Sequence, residues 1–307
     1  MAFKNIKKNI VLFKYNGTPI STDNVTLSSP VSLSPKIMGG DIDEVNSTFG
    51  SKRSYVIQDG QQAEFNIEIS ARANATDTAP EIADLLKSSL INTETIDNVL
   101  HTVTYTTNSA SDHLPSTVLV YEDEEEYVID GAVSNLNISG KIKEPLKFSF
   151  AVKGFVSSVN MTQTMPTVVN DSNDLLIIDS ITGFTSNGTT VNISDFTFDM
   201  QNNIAENYNV ALKEYKITDF DPKLDITALK IKNQDVWTPL ALQTLENIVI
   251  TIKNGATNTK SLTINIPRAI SKDLKFGNQN GLQTITKTYR AENNVGDDNF
   301  SLVWADI

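Results

Sequence analysis

Hydrophobic and polar residues alternate with a period of two over much of this chain. The alternation runs through residues 64–69, 147–153, 248–253 and 261–266. Such alternation is typical of strands that bury one face and expose the other. Helical spacing is limited to two short stretches, at 80–90 and 237–245. The pattern therefore predicts a mainly β protein built from sandwich-like or barrel-like sheets.

The predicted segments occur twice in the same order. A Tyr-x-Ile-x-Asp strand begins at Tyr55 and again at Tyr215, and each precedes an alternating run, a helix and a strand pair. The alternating runs are Phe65, Ile67, Ile69 in the first half and Leu224, Ile226, Ala228 in the second. The polar stretch 160–173 separates the halves. We therefore expect two tandem β domains, at 1–160 and 168–307, each with one short α-helix.

Each helix is expected to plug an open end of its sandwich. Thr78 and Glu81 have the spacing of a capping box, in which two side chains satisfy free amides at a helix start. An apolar stripe at helical spacing follows: Ile82, Leu85, Leu86 and Leu90. The second helix is expected between Trp237 and Leu245, and Pro239 sets its beginning at Thr238.

Composition offers no chemistry for catalysis. The chain has no cysteine, which excludes disulfides and thiolate ligands or nucleophiles. The net charge of −12 argues against binding nucleic acid by phosphate neutralisation. His101 and His113 are the only histidines, and no nucleophile elbow, zinc motif, phosphate loop or calcium loop is present. We therefore predict no enzyme activity, no catalytic residue, no metal and no cofactor, and no stretch is long enough to span a membrane.

An acidic run at Glu122, Asp123, Glu124, Glu125 and Glu126 lies between two predicted strands and is expected to be a hairpin tip. Consecutive carboxylates on extended chain point to alternate sides, so they would not converge on one cation. One interpretation is a solvated, self-repelling tip. The other is a tip that lines a pore or meets a basic patch on a neighbouring chain, with Lys52 and Arg53 as the nearest basic candidates.

The stretch 37–53 is too long for a hairpin turn and too polar for a core strand, and it is predicted to be a long loop. Long ordered loops are usually functional, and the alternative is a disordered excursion. The residues expected to make a contact are Met38, Gly39, Gly40, Asp41, Asp43, Glu44, Lys52 and Arg53.

An ordered set of segments resembles the tail tube proteins (major tail proteins) of long-tailed bacteriophages. The segments are 64–70, 78–86, 116–121, 130–133 and 145–154. That family follows a β-strand with a "taPeladLLk"-like helix and later has a "Gkp…f.F.gkG"-like strand. Lys141 and Pro145 replace the tighter Gly-Lys-Pro of the family. The resemblance covers about residues 60–156 and is weaker in the second half, where Trp237 and 296–300 carry it.

The resemblance implies a structural subunit that forms rings, and the rings stack into a channel for genome delivery. Tubes of this family have six sandwiches around a ring, so a chain with two units is expected to form a homotrimeric, pseudo-hexameric ring, with a ring of six chains as the alternative. The loop at 37–53 would reach the adjacent ring. The implied partners are further copies of the chain, tape measure, tail terminator, baseplate or tip proteins, and a sheath in a contractile tail. Double-stranded DNA would pass without specific binding along an acidic wall, inside a virion tail assembled in the bacterial cytoplasm.

Other classes of protein fit fewer of these features. The tube of a related contractile injection or secretion system shares the expected fold. A surface adhesin or pilus subunit would explain the β repeat and the content of Thr and Asn, but should begin with a signal peptide. A carbohydrate-active enzyme would need aromatic platforms with paired carboxylates, and only two tryptophans are present, Trp237 and Trp304.

Overall fold

The computed structural model describes residues 9–43, 52–74, 76–108, 113–179, 183–209, 212–232, 236–253, 259–293 and 295–306. Antiparallel strands dominate them, which confirms the prediction of a mainly β protein. The strands are β1 (Asn9–Tyr15), β2 (Asn24–Val25), β3 (Ser34–Asp43), β4 (Lys52–Ser70), β5 (Thr93–Asp97), β6 (Thr102–Thr106), β7 (Ser116–Glu122), β8 (Glu125–Lys141), β9 (Lys147–Asn160), β10 (Gly183–Ser186), β11 (Thr189–Thr190), β12 (Ile193–Asp199), β13 (Asn203–Tyr208), β14 (Lys213–Asp219), β15 (Lys223–Leu229), β16 (Leu245–Lys253), β17 (Lys260–Gln279), β18 (Leu282–Ala291) and β19 (Ser301–Asp306). The helices are α1 (Ala83–Ser88) and α2 (Trp237–Ala241), and neither is long and apolar enough to span a membrane.

The order in which strands pair is repeated. The first half pairs in the order β3-β4-β9-β8-β7-β1-β2. The second half pairs in the order β12-β15-β18-β17-β16-β10-β11. The register shifts between Ser116 and Val118 in β7, and the same shift falls between Glu246 and Ile248 in β16. The two halves therefore repeat one strand topology down to a local irregularity, and we call β1–β9 the first unit and β10–β19 the second.

The pairings also give a residue-by-residue correspondence between the units. Through β9 and β18, they match the two alternating runs that the sequence suggests: Phe65, Ile67 and Ile69 with Leu224, Ile226 and Ala228. Strands β5, β6 and β19 lie outside the repeated order. The repeat is therefore one of backbone topology as well as of sequence pattern.

The two units share one sheet and one main core. Strand β8 pairs with β12, and β6 pairs with β19, so each of these contacts joins the first unit to the second. One cluster of buried residues extends from Val11 to Trp304. The connecting segment runs along the first unit, where the Leu176 amide donates to the Ala71 carbonyl. The domain division at 160–168 stays a prediction.

The helices differ from expectation in two ways. Helix α1 is buried through Leu85 and Leu86, as the stripe predicts, but its N-terminus has no side-chain cap. The predicted capping box is wrong because the Glu81 carboxylate instead accepts hydrogen bonds from the amide and hydroxyl of Thr26. Burial raises the pKa of Glu81. Helix α2 has no buried residue, so it does not plug the second unit.

Candidate assembly interface

The contact between β8 and β12 is an edge-to-edge junction of the two units. Antiparallel pairing places Phe198 opposite Ile138 and Phe196 opposite Gly140. The side chains of Phe198 and Ile138 are fully buried. A Cβ atom on Gly140 would lie 2.5 Å from Phe196 Cε1, so the glycine makes room for the aromatic ring. These junction side chains are therefore as buried as those of the core of either unit.

Side-chain amides extend this junction to α1. Asn202 Nδ2 donates to the carbonyl oxygens of Ser89 and Ser134, at 3.1 and 3.0 Å. Asn135 Nδ2 donates to Asp199 Oδ1 at 2.9 Å. Ser89 is the C-cap residue that directly follows α1. The second unit therefore helps to hold the helix of the first in place.

The hairpin of β13 and β14 is an arm that lies across the first unit. The Tyr215 ring stacks on Phe155 with 5.0 Å between centroids, and burial raises the pKa of Tyr215 to about 12. Gly131 has φ +63°, and a Cβ atom there would lie 2.6 Å from the carbonyl oxygen of Lys213. Only glycine combines that backbone conformation with so close an approach. The arm is therefore seated on a surface shaped to receive it.

The corresponding edge of the second unit pairs with no strand of the described residues on its outer side. Within the described chain, residues 271–279 of β17 pair only with β18. Phe276 corresponds to Ile138, yet 41% of its surface is exposed whereas Ile138 has none. The Trp237 ring lies 5.7 Å from Phe276 and is 59% exposed. An unpaired strand edge of this kind, which carries one exposed aromatic side chain among mostly polar residues, is a template for pairing with another chain.

The first unit carries the complementary pieces. Residues 30–34 occupy the place of β12 beside β4, and the hairpin of β3 and β4 takes the place of the β13–β14 arm. The prediction of a loop at 37–53 is therefore wrong for the described part, because β3 pairs with β4 from Gly39 opposite Val56 to Asp43 opposite Lys52. Main-chain hydrogen bonds hold such a ribbon together without any apolar pattern. The alternation of hydrophobic and polar residues therefore does not predict these two strands.

The predicted contact residues lie along this ribbon. The backbones of Met38, Gly39, Gly40, Asp41, Asp43, Lys52 and Arg53 belong to its two strands. Glu44 lies outside the described residues. The contact to an adjacent ring stays a prediction.

The acidic run is a hairpin tip, as predicted, but one of its carboxylates is structural. Asp123 and Glu124 form the turn between β7 and β8, and Asp123 has φ 58°. Glu126 is buried and accepts hydrogen bonds from the Tyr121 hydroxyl and the Asn160 amide. Glu122, Glu124 and Glu125 remain at least partly exposed. The side chains of Lys52 and Arg53 lie outside the described part of the chain, so their contact with the tip stays a prediction.

The histidines are placed apart from any catalytic arrangement in the described chain. His101 Nδ1 lies 3.0 Å from Asp77 at an exposed position. His113 Nε2 donates to the Ser88 carbonyl, and burial lowers the pKa of His113. Among the described residues, no three His, Asp or Glu side chains are grouped as metal ligands. The absence of activity, metal and cofactor stays a prediction.

A cavity of about 310 Å³ lies beside α2 in the second unit. Its lining includes Phe184, Ile226 and Ile285, with Glu246 and Lys287 as its charged groups. The corresponding first-unit positions are Val11, Ile67 and Phe148, which are buried in the same core cluster as α1. The cavity thus marks where the second unit lacks the plug that the first unit has.

Comparison with known proteins adds no relative: no family model matches this chain, and no curated protein matches it.

Proposed function

We propose that this chain is the structural subunit of a phage or phage-like tail tube. The junction of β8 and β12 carries the proposal, because it shows how two copies of one β unit join edge to edge in a continuous sheet. Repetition of such a contact arranges units around an axis, and a ring closes when the rotation per contact divides a full turn. The junction supports ring assembly, and the resemblance to tail tube proteins supplies the identity of the ring.

The ring contains three chains and therefore six units. Each chain supplies two units that are already joined, so three intermolecular contacts complete the circle. The rings stack into a channel whose acidic wall repels DNA phosphates and lets the genome slide through. The proposed partners are tape measure, terminator and baseplate or tip proteins, with a sheath if the tail is contractile, and the proposed location is the virion tail.

Electron microscopy of the concentrated, purified protein tests this function. We expect hollow tubes or rings with three-fold symmetry and six similar lobes. Six chains around the ring would overturn the trimer and place the second unit outside the tube wall. Protein that forms no ring or tube, alone or with the other tail proteins, would refute the tube function.

The acidic tip can be tested in the assembled tube. Reversal of Asp123 and Glu124 to lysine changes the charge of the turn and leaves the buried Glu126 intact. If the tip faces the channel, we expect slower genome delivery by tails that assemble normally, because DNA would be retained by the new cations. Unchanged delivery would place the tip outside the passage.

A further inference from the structure

The exposed edge of β17 and the first unit form two halves of a contact that this chain makes once internally. We propose that residues 275–279 of one copy pair with residues 30–34 of a second copy, whose β3–β4 hairpin then lies across the second unit of the first copy. This inference rests on the proposed function, since it takes the partner to be the chain itself.

The strand pairings define the register of the proposed contact. Asp199 faces Lys223 on β15, and Ser34 faces Glu64 at the corresponding place on β4. Within the chain, Asp199 also faces Asn137 on β8. Lys275 corresponds to Asn137 through β9 and β18. Ser34 of one copy is therefore expected opposite Lys275 of the other.

Residue sizes at the two sites are complementary. In the internal junction the large Phe198 faces the smaller Ile138, and the corresponding proposed pair is the smaller Leu33 facing the large Phe276. The pair two residues further along the strands follows the same rule of size. Phe196 faces Gly140 internally, and Val31 would face Asn278 in the contact between copies. In each proposed pair, the larger side chain lies on the strand that carries the smaller one in the internal junction. Different side chains can fill a similar volume in this way.

The segment 30–34 is suited to an edge that must remain unpaired until assembly. Pro30 begins the segment and Pro35 directly follows it, and neither carries an amide hydrogen. Proline is confined to sheet edges because it cannot donate to the ladder, and it discourages indiscriminate pairing. Val31 and Leu33 already pack on the core of the first unit, so the segment is positioned without being a strand.

The exposed α2 is explained by the same missing neighbour. Ser89 directly follows α1, and its carbonyl oxygen accepts a hydrogen bond from Asn202 of the second unit. In the described chain no third unit is present to make the corresponding contact with α2. A second copy on the β17 edge would cover Phe276 and Trp237, the first residue of α2, which together form an exposed apolar surface.

Cysteine cross-linking tests the register, because the natural chain has no cysteine. We expect a mixture of Ser34→Cys and Lys275→Cys chains to form a disulfide-linked pair on mild oxidation. A mixture of Ser34→Cys and Lys272→Cys chains is the matched control, since Lys272 is exposed on the same strand outside the proposed register. Linkage in the control mixture to the same extent would overturn the proposed pairing.

Two further measurements separate this contact from the tube function. Phe276→Glu should keep the chain monomeric and folded, because the side chain is already 41% exposed. Assembly of the natural chain should shift tryptophan emission to the blue. The shift is assigned to Trp237, because Trp304 is only 3% exposed and its surroundings should not change.

Tubes without the Ser34–Lys275 link would refute the contact but keep the function. Linked, open fibres would keep the contact and refute the tube, whereas a chain that stays monomeric and unlinked at high concentration would refute the contact.

Discussion

At the scale of single residues, His113 makes stability depend on pH. Burial lowers its pKa, and its Nδ1 atom has no hydrogen-bond partner among the described residues, so the folded protein favours the neutral ring. The unfolded chain takes up a proton near pH 6.5, and the folded chain takes it up only at lower pH. We therefore expect the free energy of unfolding to fall as pH drops below about 6.5. Urea titrations from pH 7.5 to 5 should show a smaller fall in the free energy of unfolding for His113→Gln than for the natural chain; equal falls in the two proteins would contradict the assignment.

Glu126 gives a second prediction at this scale. Its carboxylate is the acceptor for the buried Tyr121 hydroxyl, so Glu126→Ala leaves a buried donor unsatisfied. We expect a loss of about 1–3 kcal/mol in the free energy of unfolding. Glu124→Ala, in the same tip but exposed, should change it by less than about 0.5 kcal/mol. Similar losses in both variants would show that the tip as a whole, and not the hydrogen bond of Glu126, contributes the stability.

At the scale of elements, the two helices occur at the same point in the order of their units but differ in burial. Leu86 of α1 is fully buried, whereas Leu242 at the end of α2 is 71% exposed. We expect Leu86→Ala to cost about 2–5 kcal/mol of stability and Leu242→Ala less than about 0.5 kcal/mol. Chemical denaturation of the monomer measures both. A large cost at Leu242 in the monomer would show that α2 is already docked.

The elements also show how far sequence patterns reach. Alternation identified the strands around Phe65 and Ile226 because one face of each is buried, and the repeat of order followed from it. The β3–β4 ribbon was missed because Gly39, Gly40 and Asp41 interrupt any alternation, while pairing depends on the backbone. The spacing of Thr78 and Glu81 predicts a local capping partner for Glu81, whereas the residue that donates to its carboxylate is Thr26, which is distant in the chain. The β8–β12 junction could not be predicted, because pairing between distant strands leaves no mark in local periodicity.

At the scale of the whole molecule, the shared sheet predicts cooperative unfolding. Pairing of β6 with β19 and of β8 with β12 ties each unit to the other, and one core cluster includes residues of both. We expect one calorimetric transition, with equal van't Hoff and calorimetric enthalpies, for the monomeric Phe276→Glu chain. Two separate transitions would instead support the division into independent domains at 160–168.

The free edge of β17 and the segment 30–34 are different structures, and that difference gives every proposed assembly a direction. Two copies related by a two-fold axis would bring identical surfaces together, whereas this contact joins the β17 edge of one copy to the 30–34 segment of the other. A closed two-fold dimer therefore cannot form through it. Each added copy consumes one kind of end and presents the same kind again until a circle closes. A chain with only one competent end would join and then block the next addition. The Phe276→Glu chain keeps its 30–34 segment and can still join a natural copy. Small amounts of it should therefore inhibit assembly of the natural protein by a larger fraction than their fraction of the mixture.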